Sequence, residues 1–180
     1  MEKWVVTAKK ADFQGIGRKY GIDPVIARII RNRDITGDEA IEEYLNGTLA
    51  DIPSWKLLKD IDKAVEIISG KIDAGTKMRI IGDYDIDGVT ATYILLKGFK
   101  RLGANVDTYI PDRVADGYGI HDHLIKKAME DGIDTIVTCD NGISASSQIT
   151  YAKELGMTVV VTDHQRCLLL IPKKEELTSF

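Results

Sequence analysis

The pattern of apolar residues along the 180-residue chain predicts an α/β protein, a parallel doubly wound sheet preceded by a small helical segment. Three observations carry this reading. Apolar residues recur at helical spacing up to about residue 75; beyond it, short β-rich runs alternate with amphipathic helices; and each of those runs ends in a polar cluster. Residues 1–75 are therefore expected to form the helical segment and 76–180 the α/β domain.

The elements follow in order. Asp23-Pro24 is a helix start, an N-cap with proline in the first turn, and Val25, Ile26, Ile29 and Ile30 then fall on one helical face. Asp38 opens a second short helix that Asn46-Gly47 ends. A third begins near residue 59, where Ile61, Ala64, Val65, Ile68 and Ile72 make an apolar stripe and Gly75 supplies the break. Strands are predicted at 78–81, 106–110, 135–138 and 158–162, with helices over about 89–102, 122–129 and 144–155 between them. Strands joined by helices of that length are βαβ units, in which parallel neighbours are linked by right-handed crossovers.

Composition narrows the class. With 44% hydrophobic and 29% charged residues, the chain is neither disordered nor fibrous. No apolar run approaches the roughly 20 residues of a membrane span, and the first residues lack a signal-peptide core, so a cytoplasmic location without membrane association is expected. Two cysteines, Cys139 and Cys167, suit neither a disulfide framework nor a cysteine zinc site. The net charge of -4 argues against a protein that coats nucleic acid, although residues 1–33 carry +5 and the remainder -9. Those cations read most simply as solvated helix faces, with a phosphate-backbone contact as the alternative.

The polar clusters carry the chemistry. The four strands run into Asp83-Tyr84-Asp85-Ile86-Asp87-Gly88, Pro111-Asp112-Arg113, Asp140-Asn141-Gly142 and Asp163-His164-Gln165. Ligands of open α/β sheets bind outside the carboxyl ends of the strands, so four sequence-distant clusters converge on one edge. One acidic residue after a strand is more often a helix cap, a reading that stays open for Asp112. Carboxylates massed together repel unless a cation neutralises them. Oxygen ligands with one imidazole suit Mg²⁺ or Mn²⁺, and Asp83, Asp85, Asp140, Asp163 and His164 suffice for two ions sharing a carboxylate. Such a pair, roughly 4 Å apart, clamps a phosphoester for hydrolysis. Arg113 could fork onto a phosphate, and the glycine-bearing turn through Gly117 and Gly119 leads into a helix N-terminus that could bind an anion. His121 and His123 are within reach of the same edge, and Cys139 reads as a small buried hydrophobe.

Two other readings of the first cluster fit it less well. An EF-hand calcium loop needs a glutamate where this chain has Ile94, and a helix before the loop instead of a strand. An aspartyl phosphotransferase of the haloacid dehalogenase type continues with threonine or valine where Asp87 stands.

GDYDIDGVTAT (82–92), PDRVADGYG (111–119), TCDNGIS (138–144) and VTDHQ (161–165) together resemble the successive motifs of the DHH phosphoesterase superfamily, most closely its RecJ type of single-strand-specific exonuclease. The helical lead-in, with Trp4, EAIEEYL (39–45) and KDIDKAVEII (59–68), is also similar to that type. The resemblance implies Asp83, Asp85, Asp140 and His164 as catalytic metal ligands, with Asp140 bridging two Mn²⁺ or Mg²⁺ ions. It implies Asp87, Asp163, Asn141 and Gln165 as residues that orient the ligands and loops, and Arg113, Gly117 and Gly119 as contacts to the substrate phosphate. The implied activity is 5′ to 3′ exonuclease hydrolysis of single-stranded DNA in repair and recombination. Gln165 departs from the family's second histidine, and from Arg166 onward the chain no longer follows the pattern. It is therefore expected to be the front portion of such an enzyme, with an incomplete site, impaired activity and surface that favours self-association. The alternatives are a DHH phosphoesterase acting on small nucleotides or nano-RNA, and a non-catalytic remnant that binds DNA or a protein.

Overall fold

In the computed structural model, which describes residues 9–164, the carboxylates of Asp12 and Asp23 cap the first two helices. The side chain of Asp12 accepts from the Gly15 N–H at 2.8 Å, and that of Asp23 from the Val25 N–H at 2.7 Å. The described residues fall into two units that divide between Ser54 and Trp55. The first holds α1 (Phe13–Tyr20), α2 (Pro24–Asn32) and α3 (Asp38–Asn46) around Ala27, Ile30 and Ile41. Helix α1 has no counterpart among the predicted elements, because Gly15 and Gly17 are poor helix formers. Gly17 is there for a close approach: a Cβ would stand 2.8 Å from the Ile22 carbonyl oxygen. Several cations of this unit are locally engaged. Lys9 and Arg31 meet Asp34, Lys19 meets Asp38, and the Arg28 guanidinium lies 4.7 Å from the centre of the Phe13 ring.

The second unit begins with a turn of 3₁₀ helix at Trp55–Leu57 and contains α4 (Ile61–Asp73), β1 (Met78–Gly82), α5 (Ile86–Arg101) and β2 (Val106–Tyr109). It continues through α6 (Asp122–Glu130), β3 (Thr135–Cys139), α7 (Ser146–Glu154) and β4 (Thr158–Val160). The four strands are parallel, in the order β2-β1-β3-β4. Their side chains alternate between two apolar clusters. Met78, Ile80, Val137, Cys139 and Val160 pack with Ala64 of α4 and Phe99 of α5; Ile81, Ile136, Val159 and Val161 pack with α6 and α7. Helix α4 thus belongs to the sheet's unit, although the expected boundary at 75 grouped it with the N-terminal helices. Its stripe through Ala64, Ile68 and Ile72 serves as one cover of the sheet. Among the described residues no helix is long and apolar enough to cross a membrane.

The chain leaves β1 toward β2 on one side and returns to β3 on the other, so the winding reverses between β1 and β3. A crevice opens outside the strand ends at such a reversal, and Asp83 and Asp140 are the first residues beyond those two strands.

At the opposite end of the sheet stands Arg79, only 8% exposed. Its guanidinium grips both carboxylate oxygens of Asp107, its register partner on β2, at 2.7 and 2.8 Å, and reaches Asp131 at 2.9 Å. This fork ties β2 and the end of α6 to the central strand. Replacing it by methionine (Arg79→Met) should lower stability by about 2 kcal/mol in chemical denaturation, less than for a fully buried pair because about a third of each carboxylate stays in water. Hydrogen bonding to Arg79 holds the Asp131 carboxyl below its ordinary pKa. That contribution is complete above pH about 4 and disappears as pH falls through the lowered folded value, so the variant should show a flatter acid limb.

Candidate metal centre

The first wall of the centre is the β1–α5 turn. Asp83, 4% exposed, accepts the Tyr84 N–H at 2.8 Å, and Asp85 caps α5 by accepting the Gly88 N–H at 3.0 Å. The turn is tight because position 88 has no side chain: a Cβ there would stand 2.6 Å from the Asp83 Cβ and 2.7 Å from its carbonyl oxygen. Asp87 follows in the first turn of α5.

The second wall is the end of β3. Asp140 adopts a left-handed conformation, φ 59°, and its N–H donates to the Thr162 carbonyl at 3.0 Å. Thr138 Oγ1 donates to the Asn141 carbonyl at 2.7 Å, and Thr162 Oγ1 donates to the Thr138 carbonyl at 2.6 Å. The ends of β3 and β4 are thereby laced together. Asp163 accepts the Ile143 N–H at 3.1 Å, and His164 then brings Nε2 to 2.9 Å from Asp140 Oδ1.

The result is two groups of oxygen and nitrogen atoms, each lying within 4.8 Å of one another: Asp83, Asp85 and Asp140 in one, Asp87, Asp140 and His164 in the other. Asp140 stands in both. Asp87, expected to orient ligands, instead presents its carboxylate within the second group; its place in the first turn of α5 aims it there. Gln165 lies outside the described residues.

Electrostatics bear the mark of crowding. Burial and then the neighbouring acids Asp87, Asp85 and Asp163 push the Asp140 carboxyl above its ordinary pKa, against His164. Asp83 is pushed up by burial and by Asp85 and Asp87, against the Tyr84 N–H and Arg113. Asp85 is held down, chiefly by the Gly88 N–H and then by Asp87. Asp140 Oδ1 is closed to solvent and receives no hydrogen bond among the described residues, since His164 Nε2 stands close but outside hydrogen-bond alignment. A buried carboxylate oxygen facing an imidazole nitrogen and three more carboxylates fits a hard divalent cation.

The β2–α6 loop borders this centre. Arg113 lies over the Tyr84 ring, 5.4 Å from its centre, and Tyr118 meets Tyr84 edge-on with centroids 6.2 Å apart. Asp112 accepts the N–H groups of Val114 and Ala115, both at 2.8 Å, and so closes a turn at the head of the loop; no helix begins there, since α6 starts only at Asp122, and Asp112 is not a helix cap. Asp116, which sequence reasoning passed over, organises the loop: it accepts from Tyr109 Oη at 3.0 Å and the Asp112 N–H at 2.8 Å, and meets His123 at 2.8 Å. Gly117 and Gly119 take positive φ, 79° and 86°, and shape the turn. His121 and His123 stack on each other and enter neither group of candidate ligands.

The family model of the DHH family, N-terminal domain, matches residues 77–180. The chain is 36% identical over 144 residues to the single-stranded-DNA-specific exonuclease RecJ of Salmonella typhimurium, covering 79% of this chain and 24% of that protein. It is 34% identical over 163 residues to RecJ of Bacillus subtilis, covering 90% and 21%. Among solved structures it is similar to exonuclease RecJ bound to manganese (TM-score 0.59, 34% identity, 71% of this chain and 31% of that one). It is also similar to RecJ in complex with Mn²⁺ from Thermus thermophilus (TM-score 0.56, 27% identity, 93% and 22%). The chain spans about a quarter of the length of the curated relatives it matches.

The tight β1–α5 turn makes a test that removes no candidate ligand. In Gly88→Ala the new methyl group must push Asp83 aside, so isothermal titration with Mn²⁺ should show affinity reduced roughly 10–100-fold with all candidate ligands present.

Proposed function

The chain belongs to the DHH family, and from that premise we propose that its strand-end acids hold two divalent cations, Mn²⁺ or Mg²⁺, for hydrolysis of phosphodiester bonds in single-stranded DNA from a 5′ end. The observation that carries the proposal is the double membership of Asp140. One carboxylate common to two sets of ligand atoms is what a two-ion site requires. Asp83, Asp85 and Asp140 would hold one ion; Asp87, Asp140 and His164 the other. The bound ions would supply a water of lowered pKa and neutralise charge gathering on the phosphoryl oxygens.

The remaining roles belong to the protein. Asp163 fixes the loop after β3 through the Ile143 N–H, and the hydrogen bonds between Thr138 and Thr162 keep Asp140 and His164 facing each other. Arg113, poised over Tyr84 beside the first cluster, can fork onto a phosphate and orient the strand. Single-stranded DNA is favoured as substrate because that is what the RecJ proteins similar to this chain are named for. The chain's own acidic balance places little of the strand-gripping charge in these residues.

Two measurements test the reading. Titration of the chain with Mn²⁺ should give two ions per molecule, His164→Ala should keep one, and Asp140→Asn should bind neither tightly; a single ion unaffected by Asp140→Asn refutes it. In a nuclease assay with Mn²⁺, release of nucleotides from 5′-phosphorylated single-stranded DNA should exceed that from duplex DNA or a dinucleotide, and Asp85→Ala should lower the rate by about 10²-fold or more. Preference for the dinucleotide would point to a phosphoesterase acting on small nucleotides.

A further inference from the structure

Asn141 is fully buried, 0% exposed, directly after Asp140, and it touches no member of either ligand group in the hydrogen bonds it makes. Its Nδ2 donates to two backbone carbonyls on different strands, Ile81 of β1 at 3.2 Å and Cys139 of β3 at 3.1 Å. With two carbonyl oxygens as neighbours, only the amide nitrogen can face them, so the orientation of the group is fixed by its surroundings. A single amide thus clamps the two central strands where their ladder ends, at the paired residues Gly82 and Cys139. Asp83 and Asp140 are the next residues on each strand.

Two features set this residue apart from ordinary core packing. Its Oδ1 is buried and receives no hydrogen bond among the described residues, an unfavourable arrangement that an apolar side chain of similar volume would avoid. In addition, the left-handed turn at Asp140 is what sends the Asn141 side chain back beneath the strand ends while the Asp140 carboxylate stays in the cluster. Such a conformation at a residue other than glycine persists where neighbouring contacts enforce it. The clamp also reaches β4: Thr138 Oγ1 donates to the Asn141 carbonyl and accepts the Thr162 N–H at 3.2 Å, two residues before His164.

We propose that Asn141 is a positioning residue of the metal centre, whose amide joins the ends of β1 and β3 and so sets the separation of Asp83 and Asp140. This rests on the two-ion reading of the site, and it adds that the separation is imposed by a hydrogen-bonded clamp outside the ligand set. Loss of both donors should let the strand ends part. The Asp83–Asp85–Asp140 group would loosen first, and the ion shared through Asp140 would then lose its coupling to the other.

The test is electron paramagnetic resonance of the chain loaded with Mn²⁺, together with Mn²⁺ titration, for the wild type, Asn141→Leu and Arg79→Met. The last variant loosens the opposite end of the same sheet and controls for general loss of stability. The wild type should show the spectrum of a coupled manganese pair at two equivalents. Asn141→Leu should bind Mn²⁺ roughly 10–100-fold more weakly and show only uncoupled ions, whereas Arg79→Met should keep the coupled signal. If Asn141→Leu does not fold, Asn141→Ser, which keeps one donor on a shorter arm, should show the same loss in milder form. A coupled pair of unchanged affinity in either folded variant overturns the proposal. A wild type that binds no manganese pair overturns the two-ion reading itself. In the unmodified protein the Asn141 amide protons should exchange slowly with solvent, and rapid exchange would count against the clamp.

Discussion

Everything at the carboxyl edge of this sheet turns on one buried oxygen. Asp140 Oδ1 lies out of solvent with no hydrogen bond given to it among the described residues, and the carboxylates of Asp83, Asp85 and Asp87 all approach within a few ångströms of the same residue. Like charges at that spacing repel, and the raised pKa values of Asp83 and Asp140 are that repulsion added to burial. A rigid frame behind such a cluster holds it together, and a cation within it would neutralise it. The frame is visible in detail: a register that ends β1 and β3 at the same level, an asparagine that clamps those ends, and a threonine pair that brings β4 alongside.

The sheet is held differently at its two ends. At the amino end Arg79 meets two partly exposed carboxylates, a satisfied ion pair that serves stability. At the carboxyl end the acids outnumber their cationic partners, and the protein tolerates that imbalance where the winding reverses and a crevice opens. The division of labour is common in α/β proteins: one end of the sheet is built for cohesion, the other for chemistry.

Much of this was legible in the sequence, and the exceptions have physical causes. The strand order of polar clusters revealed the α/β architecture and brought Asp83, Asp85, Asp140 and His164 to one edge, because burial on both faces leaves a strand so little freedom in composition. Helix α1 was hidden by glycines whose purpose is close packing. The place of α4 was hidden because an amphipathic stripe does not say which surface it covers. Asp87 read as a supporting residue, yet its position in the first turn of α5 carries its carboxylate to the second group. The resemblance placed Asn141 among the orienting residues, but not the bonds by which it acts, since these run to backbone groups such as Ile81 on another strand; Asp116 was missed because a loop aspartate beside glycines does not say which neighbours it will bind.

The central claim is that Asp140 is shared between two cations. Diffraction from crystals of the chain soaked in Mn²⁺, recorded on both sides of the manganese absorption edge, tests it most directly. Two anomalous peaks are expected, with the Asp140 carboxylate touching both, Asp83 and Asp85 on one, and Asp87 and His164 on the other. A single peak, or two peaks of which only one contacts Asp140, would contradict it.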